Sequence, residues 1–218
     1  MTSQYPQRIE PSERLQRTPI IAVLRAKAAR DYDAVVDVLG QNGVCCVELT
    51  LSTPGTIDHL PALIQHAGDE LEIGVGTITT VADAQAAIDA GAKYLVTPVI
   101  NLDIIALALK HRLPVFPGGL TPTELHSAWQ AGATAVKVFP AQTVGAKYGS
   151  HLRGPFPYLK FVPSGGVGLD DIPAWFQAGA TAVSLGGPLI GDALRGGSLD
   201  ELAERTKRTV EIVRKATR

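Results

Sequence analysis

Cysteine is scarce in this chain of 218 residues: Cys45 and Cys46 are the only two, and they are adjacent. Neighbours in an extended strand point to opposite faces, so the two are badly placed to pair with each other. The expectation is two small core residues of a reducing compartment rather than a disulfide framework. Long apolar runs are missing too. No stretch of about 18 apolar residues occurs, so nothing reads as a membrane-spanning helix. The opening stretch MTSQYPQRIEPSERLQR lacks the apolar segment of a secretory signal, and a cytoplasmic protein is expected. Excess charge of either sign is absent: the formal net charge is −1, which argues against nucleic acid or a membrane surface as partner. Metal-ligand spacing is also absent. His59, His66, His111, His126 and His151 form no i, i+4 pair and no H-E-x-x-H frame, so no metal is expected and they read as surface or helix residues.

What is present is a core former. Hydrophobic residues make up 45% of the chain against 19% charged, enough apolar side chains for a sizeable interior. One pattern recurs. NGVCCVEL, AGAKYLVTP, AGATAVKVFP and AGATAVSLGG start at Asn42, Ala90, Ala131 and Ala178, each a glycine followed by a short apolar run. Amphipathic stretches such as VADAQAAIDA and TELHSAWQA precede them. The pattern predicts helix, glycine C-cap, buried strand, with the caps at Gly43, Gly91, Gly132 and Gly179. Four further runs read as strands: PIIAVLR (19–25), LEIGVGT (71–77), LPVFPGG (113–119) and LKFVPSGG (159–166). Eight strands alternating with helices in a little over 200 residues predict a (β/α)8 barrel, one domain spanning 1–218. Residues 1–18 form an N-terminal extension, expected as one helix across the barrel's bottom. An open doubly wound sheet is the runner-up, weakened because no glycine-rich dinucleotide fingerprint follows the first strand. Trp129 and Trp175, at equivalent helix positions, read as core packing, and RTKRTVEIVRKATR as a solvated outer helix.

The repeat places polar residues at one depth. Five positions after its glycine come Glu48, Val96, Lys137 and Ser184. An ammonium group inside AVKVF needs a reason. A plain buried salt bridge to Glu48 is one, but such pairs stabilise weakly because desolvation roughly offsets attraction. Function is the other. Burial disfavours an ammonium ion and a nearby carboxylate favours it; a neutral amine attacks a carbonyl carbon to form a Schiff base, and a carboxylate can shuttle protons through the steps. The remaining strand ends are rich in glycine or hydroxyls: Gly74, Gly76 and Thr77; Thr97 and Pro98; Gly118 and Gly119; Ser164, Gly165 and Gly166; Gly186 and Gly187. Glycines there let backbone N–H groups approach an anion, and the ends of strands seven and eight are the frequent phosphate site of this fold.

At these residues the sequence resembles the class I aldolases of the 2-keto-3-deoxy-6-phosphogluconate and 4-hydroxy-2-oxoglutarate type. VELTLSTPG, GVGT, VTP, PGGLTPTE, VKVFPA and PSGGV carry the resemblance, in order, from about Pro19 to about Leu194. It implies a (β/α)8 barrel assembled as a homotrimer and acting without cofactor. It implies Lys137 as the Schiff-base lysine, Glu48 as general acid/base, and Thr77, Pro98 and Phe139 around a pyruvyl pocket. Gly165 and Gly166 would hold a phosphate, joined by Ser164, Gly186 and Gly187. Two departures stand out. The best-known members carry a carboxylate-gripping arginine where this chain has Ser52, and a phosphate-binding serine where it has Pro188. A related branch acting on 6-phosphogalactonate analogues also lacks that arginine and has Leu-Arg at the end of strand one, as here at Leu24-Arg25. Arg25 is therefore expected on the substrate carboxylate, with Lys27 nearby as its competitor.

The resulting expectation is a lyase that cleaves 2-keto-3-deoxy-6-phosphogluconate to pyruvate and glyceraldehyde 3-phosphate. Its alternatives are the 4-hydroxy-2-oxoglutarate or 6-phosphogalactonate reaction, a phosphate-binding barrel isomerase, and a non-catalytic ligand-binding barrel. The partner in each catalytic case is a small 2-keto acid or phosphorylated sugar, and borohydride reduction with pyruvate separates the aldolases from the rest.

Overall fold

The structure, a computed structural model, describes residues 7–218. Eight parallel strands make one sheet: β1 (Ile20–Leu24), β2 (Cys46–Thr50), β3 (Glu72–Gly76), β4 (Leu95–Thr97), β5 (Val115–Gly119), β6 (Val136–Val138), β7 (Phe161–Pro163) and β8 (Val183–Leu185). Their order is β7-β6-β5-β4-β3-β2-β1-β8. The two outer strands meet through a Ser164–Ser184 bridge, and the Thr181 amide donates to the Phe161 carbonyl at 2.8 Å. This closure into a barrel rules out the open sheet. The strands alternate with α2 (Asp33–Gln41), α3 (Thr56–Ala67), α4 (Val81–Asp89), α5 (Leu102–Lys110), α6 (Pro122–Gln130), α7 (Lys147–Arg153) and α8 (Ile172–Gln177), and β8 is followed by the short α9 (Gly187–Ile190) and by α10 (Leu199–Ala216).

The repeat works as expected. Gly43, Gly91, Gly132 and Gly179 hold φ of 93°, 96°, 104° and 95°, the left-handed turn that lets a helix end and the next strand begin at once. Side chains fix the helix starts: Thr80 and Asn101 accept amide hydrogen bonds from α4 and α5, and Thr121 with Glu124 forms a capping box on α6. Alternate strand residues then pack outward on the helices or inward on the lumen. The inward set, Ile21, Cys46, Tyr94, Val96, Phe116, Ala135, Val162 and Ala182, fills the lower barrel. The outer helix α10 buries Leu202, Thr206, Thr209 and Val213 and exposes its charges.

The N-terminal extension departs from expectation. Only Glu13–Arg17, α1, is helical among its described residues, capped by Ser12 and stopped where Thr18 precedes Pro19, a position that disfavours helical backbone. Residues 1–6 of the expected helix lie outside the described ones. Leu15 of α1 still plugs the lumen from below. Both tryptophans are buried, and the Arg8 guanidinium lies 3.6 Å above the Trp129 ring. Cys45 and Cys46 are free thiols. Burial, then the Glu72 carboxylate, pushes the Cys46 thiol far up, which keeps it protonated and inert. Among the described residues, no helix is long and apolar enough to cross a membrane, and no group of three or more His, Cys, Asp and Glu could hold a metal.

Candidate active site

Above the apolar lumen the barrel opens into a cleft of about 570 Å³ at the C-terminal ends of the strands. Glu48 on β2 and Lys137 on β6 sit on its floor, only 1% and 7% exposed. They form no direct ion pair, which disposes of the salt-bridge explanation for the buried lysine. The Lys137 ammonium lies 5.0 Å from the centre of the Phe139 ring. Glu48 Oε2 is buried without a hydrogen-bond partner among the described residues, a costly arrangement that a site meant for substrate or water can hold.

Two glycines of β3 make room for side chains that project into the lumen. A Cβ on Gly76 would stand 1.9 Å from Glu48 Oε1, and one on Gly74 would stand 2.3 Å from the Tyr94 ring. The expectation that these glycines bring backbone amides to an anion is thus corrected: they are notches in the lumen wall, one filled by a carboxylate and the other by a phenol. Desolvation pushes the Tyr94 phenol well up, so the ring is a neutral wall beneath the site. Gly118 likewise answers to close backbone packing, since a Cβ there would lie 2.6 Å from the Thr97 carbonyl oxygen.

The rim is built from the other strand ends. Thr77 lines it with a φ of 62°, a conformation that β-branched residues rarely adopt and that costs about 1–3 kcal/mol. Pro98 and the partly exposed Phe139 form one wall. Arg25 reaches the cleft from the end of β1, whereas Lys27 does not line it. Ser164 lines the cleft as well, with its hydroxyl 3.0 Å from that of Ser184 across the barrel closure. Gly165 and Gly166 follow with φ of 86° and 76°. Cβ atoms there would lie 2.9 Å from the Phe139 ring and 2.3 Å from Gln142 Oε1, so no larger residue fits this turn. Gly186, Gly187 and Pro188 face it from the end of β8.

The cleft therefore brings together Lys137, Glu48, Arg25, Thr77, Pro98, Phe139, Ser164 and the glycine pairs Gly165-Gly166 and Gly186-Gly187, whereas Gly74, Gly76, Thr97, Gly118, Gly119 and Lys27 do not line it. The five histidines stay outside it; His59 and His66 hydrogen-bond to Asp33 and Asp37 on α2. Ser52 is outside too, its hydroxyl 3.0 Å from that of Thr50. Sequence reasoning missed Arg195, which lines the cleft from a turn beyond α9. No periodicity or motif marks it; the signal available was a lone cation eight residues after the Gly186-Gly187 pair.

The family described as KDPG and KHG aldolase matches residues 12–204. The chain belongs to that family. Its members are carbon–carbon lyases, and so is this enzyme. A curated relative, the 2-dehydro-3-deoxy-phosphogluconate aldolase of Treponema pallidum, is 31% identical over 92% of this chain and 96% of its own length. The 2-dehydro-3-deoxy-6-phosphogalactonate aldolase of Escherichia coli is 30% identical over 92% of this chain and 97% of its own. Among solved structures, the KDPG aldolase of Legionella pneumophila, holding pyruvate as a covalent carbinolamine, superimposes with a TM-score of 0.80 at 25% identity, covering 89% of this chain and 95% of that one.

Proposed function

We propose that this lyase is a class I, Schiff-base aldolase that cleaves 2-keto-3-deoxy-6-phosphogluconate to pyruvate and glyceraldehyde 3-phosphate. The observation that carries the reading is the unpaired Lys137 and Glu48 on the floor of one cleft. The Lys137 amine adds to the C2 ketone, and loss of water gives an iminium. Glu48, directly or through a water, takes the proton of the C4 hydroxyl. The C3–C4 bond breaks, its electron pair moving toward the iminium nitrogen to leave an enamine while C4 departs as the aldehyde. Protonation of the enamine at C3 and hydrolysis release pyruvate and free the lysine. Phe139, Pro98 and Thr77 enclose the pyruvyl end, and the amides of Gly165, Gly166, Gly186 and Gly187 receive the phosphate. The chemistry asks for no metal or organic cofactor.

A second reading keeps the mechanism and inverts C4: the 6-phosphogalactonate substrate. Arg25 in the cleft with Ser52 outside it favours that branch. A homotrimer in the cytoplasm belongs to the same proposal; the exposed apolar Val99 and Leu102 support the assembly. The deciding experiment is borohydride reduction with pyruvate followed by peptide mass analysis, then cleavage assays on both C4 epimers. Wild type gains the pyruvyl mass on Lys137, and Lys137→Ala stays folded, traps nothing and cleaves nothing. Trapping on Lys147 or Lys160 instead would refute the assignment.

A further inference from the structure

We propose that Arg195 is a specificity-determining residue that grips the phosphate at the distal end of the substrate. The inference rests on the aldolase reading above and assigns a residue to it that neither periodicity nor motif reveals.

Among the described residues three cations line the cleft, Arg25, Lys137 and Arg195, against one carboxylate, Glu48. Lys137 is committed to the C2 carbon and serves as counter-ion to neither end of the substrate. Two guanidinium groups remain for two anions, a carboxylate and a phosphate. Their places divide the work: Arg25 ends β1, whereas Arg195 follows the Gly186-Gly187 turn that faces Gly165 and Gly166.

Arg195 lines the cleft and is only weakly engaged elsewhere among the described residues. It ends a 3-10 turn, Ala193–Arg195, whose Ala193 and Leu194 are buried and fix its base. It makes no ion pair among the described residues, and its bond to the Gly191 carbonyl is 3.5 Å long, at the limit of a hydrogen bond. The arginines beside it are occupied. Arg205 donates to the Leu189 and Ile190 carbonyls and pairs with Glu201, and Arg208 pairs with Asp170. Pro188 gives the reason a cation is wanted there. It occupies the turn with neither hydroxyl nor backbone N–H, so the glycine amides supply only neutral donors. A guanidinium can hold two phosphate oxygens through parallel, charge-assisted bonds.

The test compares wild type, Arg195→Ala and Arg195→Lys on three substrates: the 6-phosphorylated keto-deoxy acid, its unphosphorylated counterpart and 4-hydroxy-2-oxoglutarate, whose distal anion is a carboxylate. Pyruvate trapping and thermal unfolding serve as controls. Arg195→Ala should raise KM for the phosphorylated substrate roughly tenfold to hundredfold, the range of a charge-assisted hydrogen bond. It should leave kcat, KM for the unphosphorylated acid and pyruvate trapping near wild type, as expected when uniform binding is lost. Lysine should restore only part, and inorganic phosphate should inhibit wild type more strongly than the alanine variant. A KM increase confined to 4-hydroxy-2-oxoglutarate would overturn the phosphate assignment in favour of a carboxylate. Unchanged KM values with trapping intact would overturn the role of Arg195 and leave the aldolase reading standing; failure of wild type to trap pyruvate would remove that reading instead.

Discussion

Replacing Gly76 with alanine should disable Glu48 without touching it. The added Cβ would lie 1.9 Å from Glu48 Oε1, 2.4 Å from Cδ and 2.6 Å from Cγ. Glu48 is 1% exposed and lines the cleft, so it can avoid the methyl group only by leaving its place on the floor. To reach an ordinary contact of 3.4 Å the oxygen must retreat by about 1.5 Å. Misplacing a catalytic group by about 1 Å can cost about 10²-fold in rate, and general acid–base catalysis is typically worth about 10²–10⁴-fold. Gly76→Ala should therefore lower kcat about 10²-fold, with KM changed far less. Gly76 does not adopt the left-handed backbone, so alanine brings no dihedral strain. Overpacking of this kind costs about 1–3 kcal/mol, and the protein should remain folded. The assay is steady-state aldol cleavage alongside borohydride trapping, with Glu48→Gln as reference. Lys137 should still trap pyruvate in the Gly76 variant, more slowly than in wild type. A folded Gly76→Ala enzyme within about threefold of wild-type kcat, far short of the general acid–base range, would refute the reasoning.

Two further outcomes are expected. Arg25→Ala should weaken pyruvate binding roughly tenfold to hundredfold, the scale of a charge-assisted hydrogen bond, while Lys27→Ala leaves it unchanged; inhibition by pyruvate measures both. The Glu124 carboxylate accepts from the Thr121 hydroxyl and from the Thr121 and Leu120 amides, which holds it below the usual carboxylate range. A depressed folded-state value means the cap stabilises above the unfolded carboxylate range and is lost as pH falls through the folded value. Glu124→Ala should cost about 1 kcal/mol near neutral pH by denaturant titration, the scale of a helix cap, and the difference should shrink toward acid pH.

The barrel was legible because its strands are short and apolar and every second one, β2, β4, β6 and β8, is announced by a glycine that ends a helix. Lys137 and Glu48 were legible for a related reason: charge inside an apolar run is conspicuous. What the sequence hides is depth. Gly74 and Gly76 look the same in sequence as Gly165 and Gly166, which line the cleft, and only the closed barrel reveals that Tyr94 and Glu48 fill the space above them. Arg195 is an ordinary surface arginine in the sequence, GDALRGG, until α9 and the turn after it fold back over the cleft. The expected N-terminal helix shrinks at its start: Pro11, with no backbone N–H to donate, and the Ser12 cap set its first residue at Glu13, while its end before Pro19 is where the sequence puts it.

The costs of this fold collect at one end. Thr77 holds a left-handed backbone and, among the described residues, Glu48 buries an oxygen without a partner and Lys137 is nearly buried with no carboxylate paired to it. Each opposes stability, and each lies at the C-terminal face of the strands. The lower lumen has a different character: Leu15, Ile21, Val96, Phe116 and Val162 close it with apolar contacts, and the Cys46 thiol there stays protonated. Such a division follows from the barrel itself. Alternate residues of every strand face the same axis, so one half of each strand can be given to packing and the other half to chemistry. The packed half must then supply the free energy that the reactive half gives up, since the destabilising groups persist only where the surroundings hold them in place. Lys137 illustrates the division within three residues: Val136 and Val138 pack outward beneath the helices, and the lysine between them turns inward to the cleft.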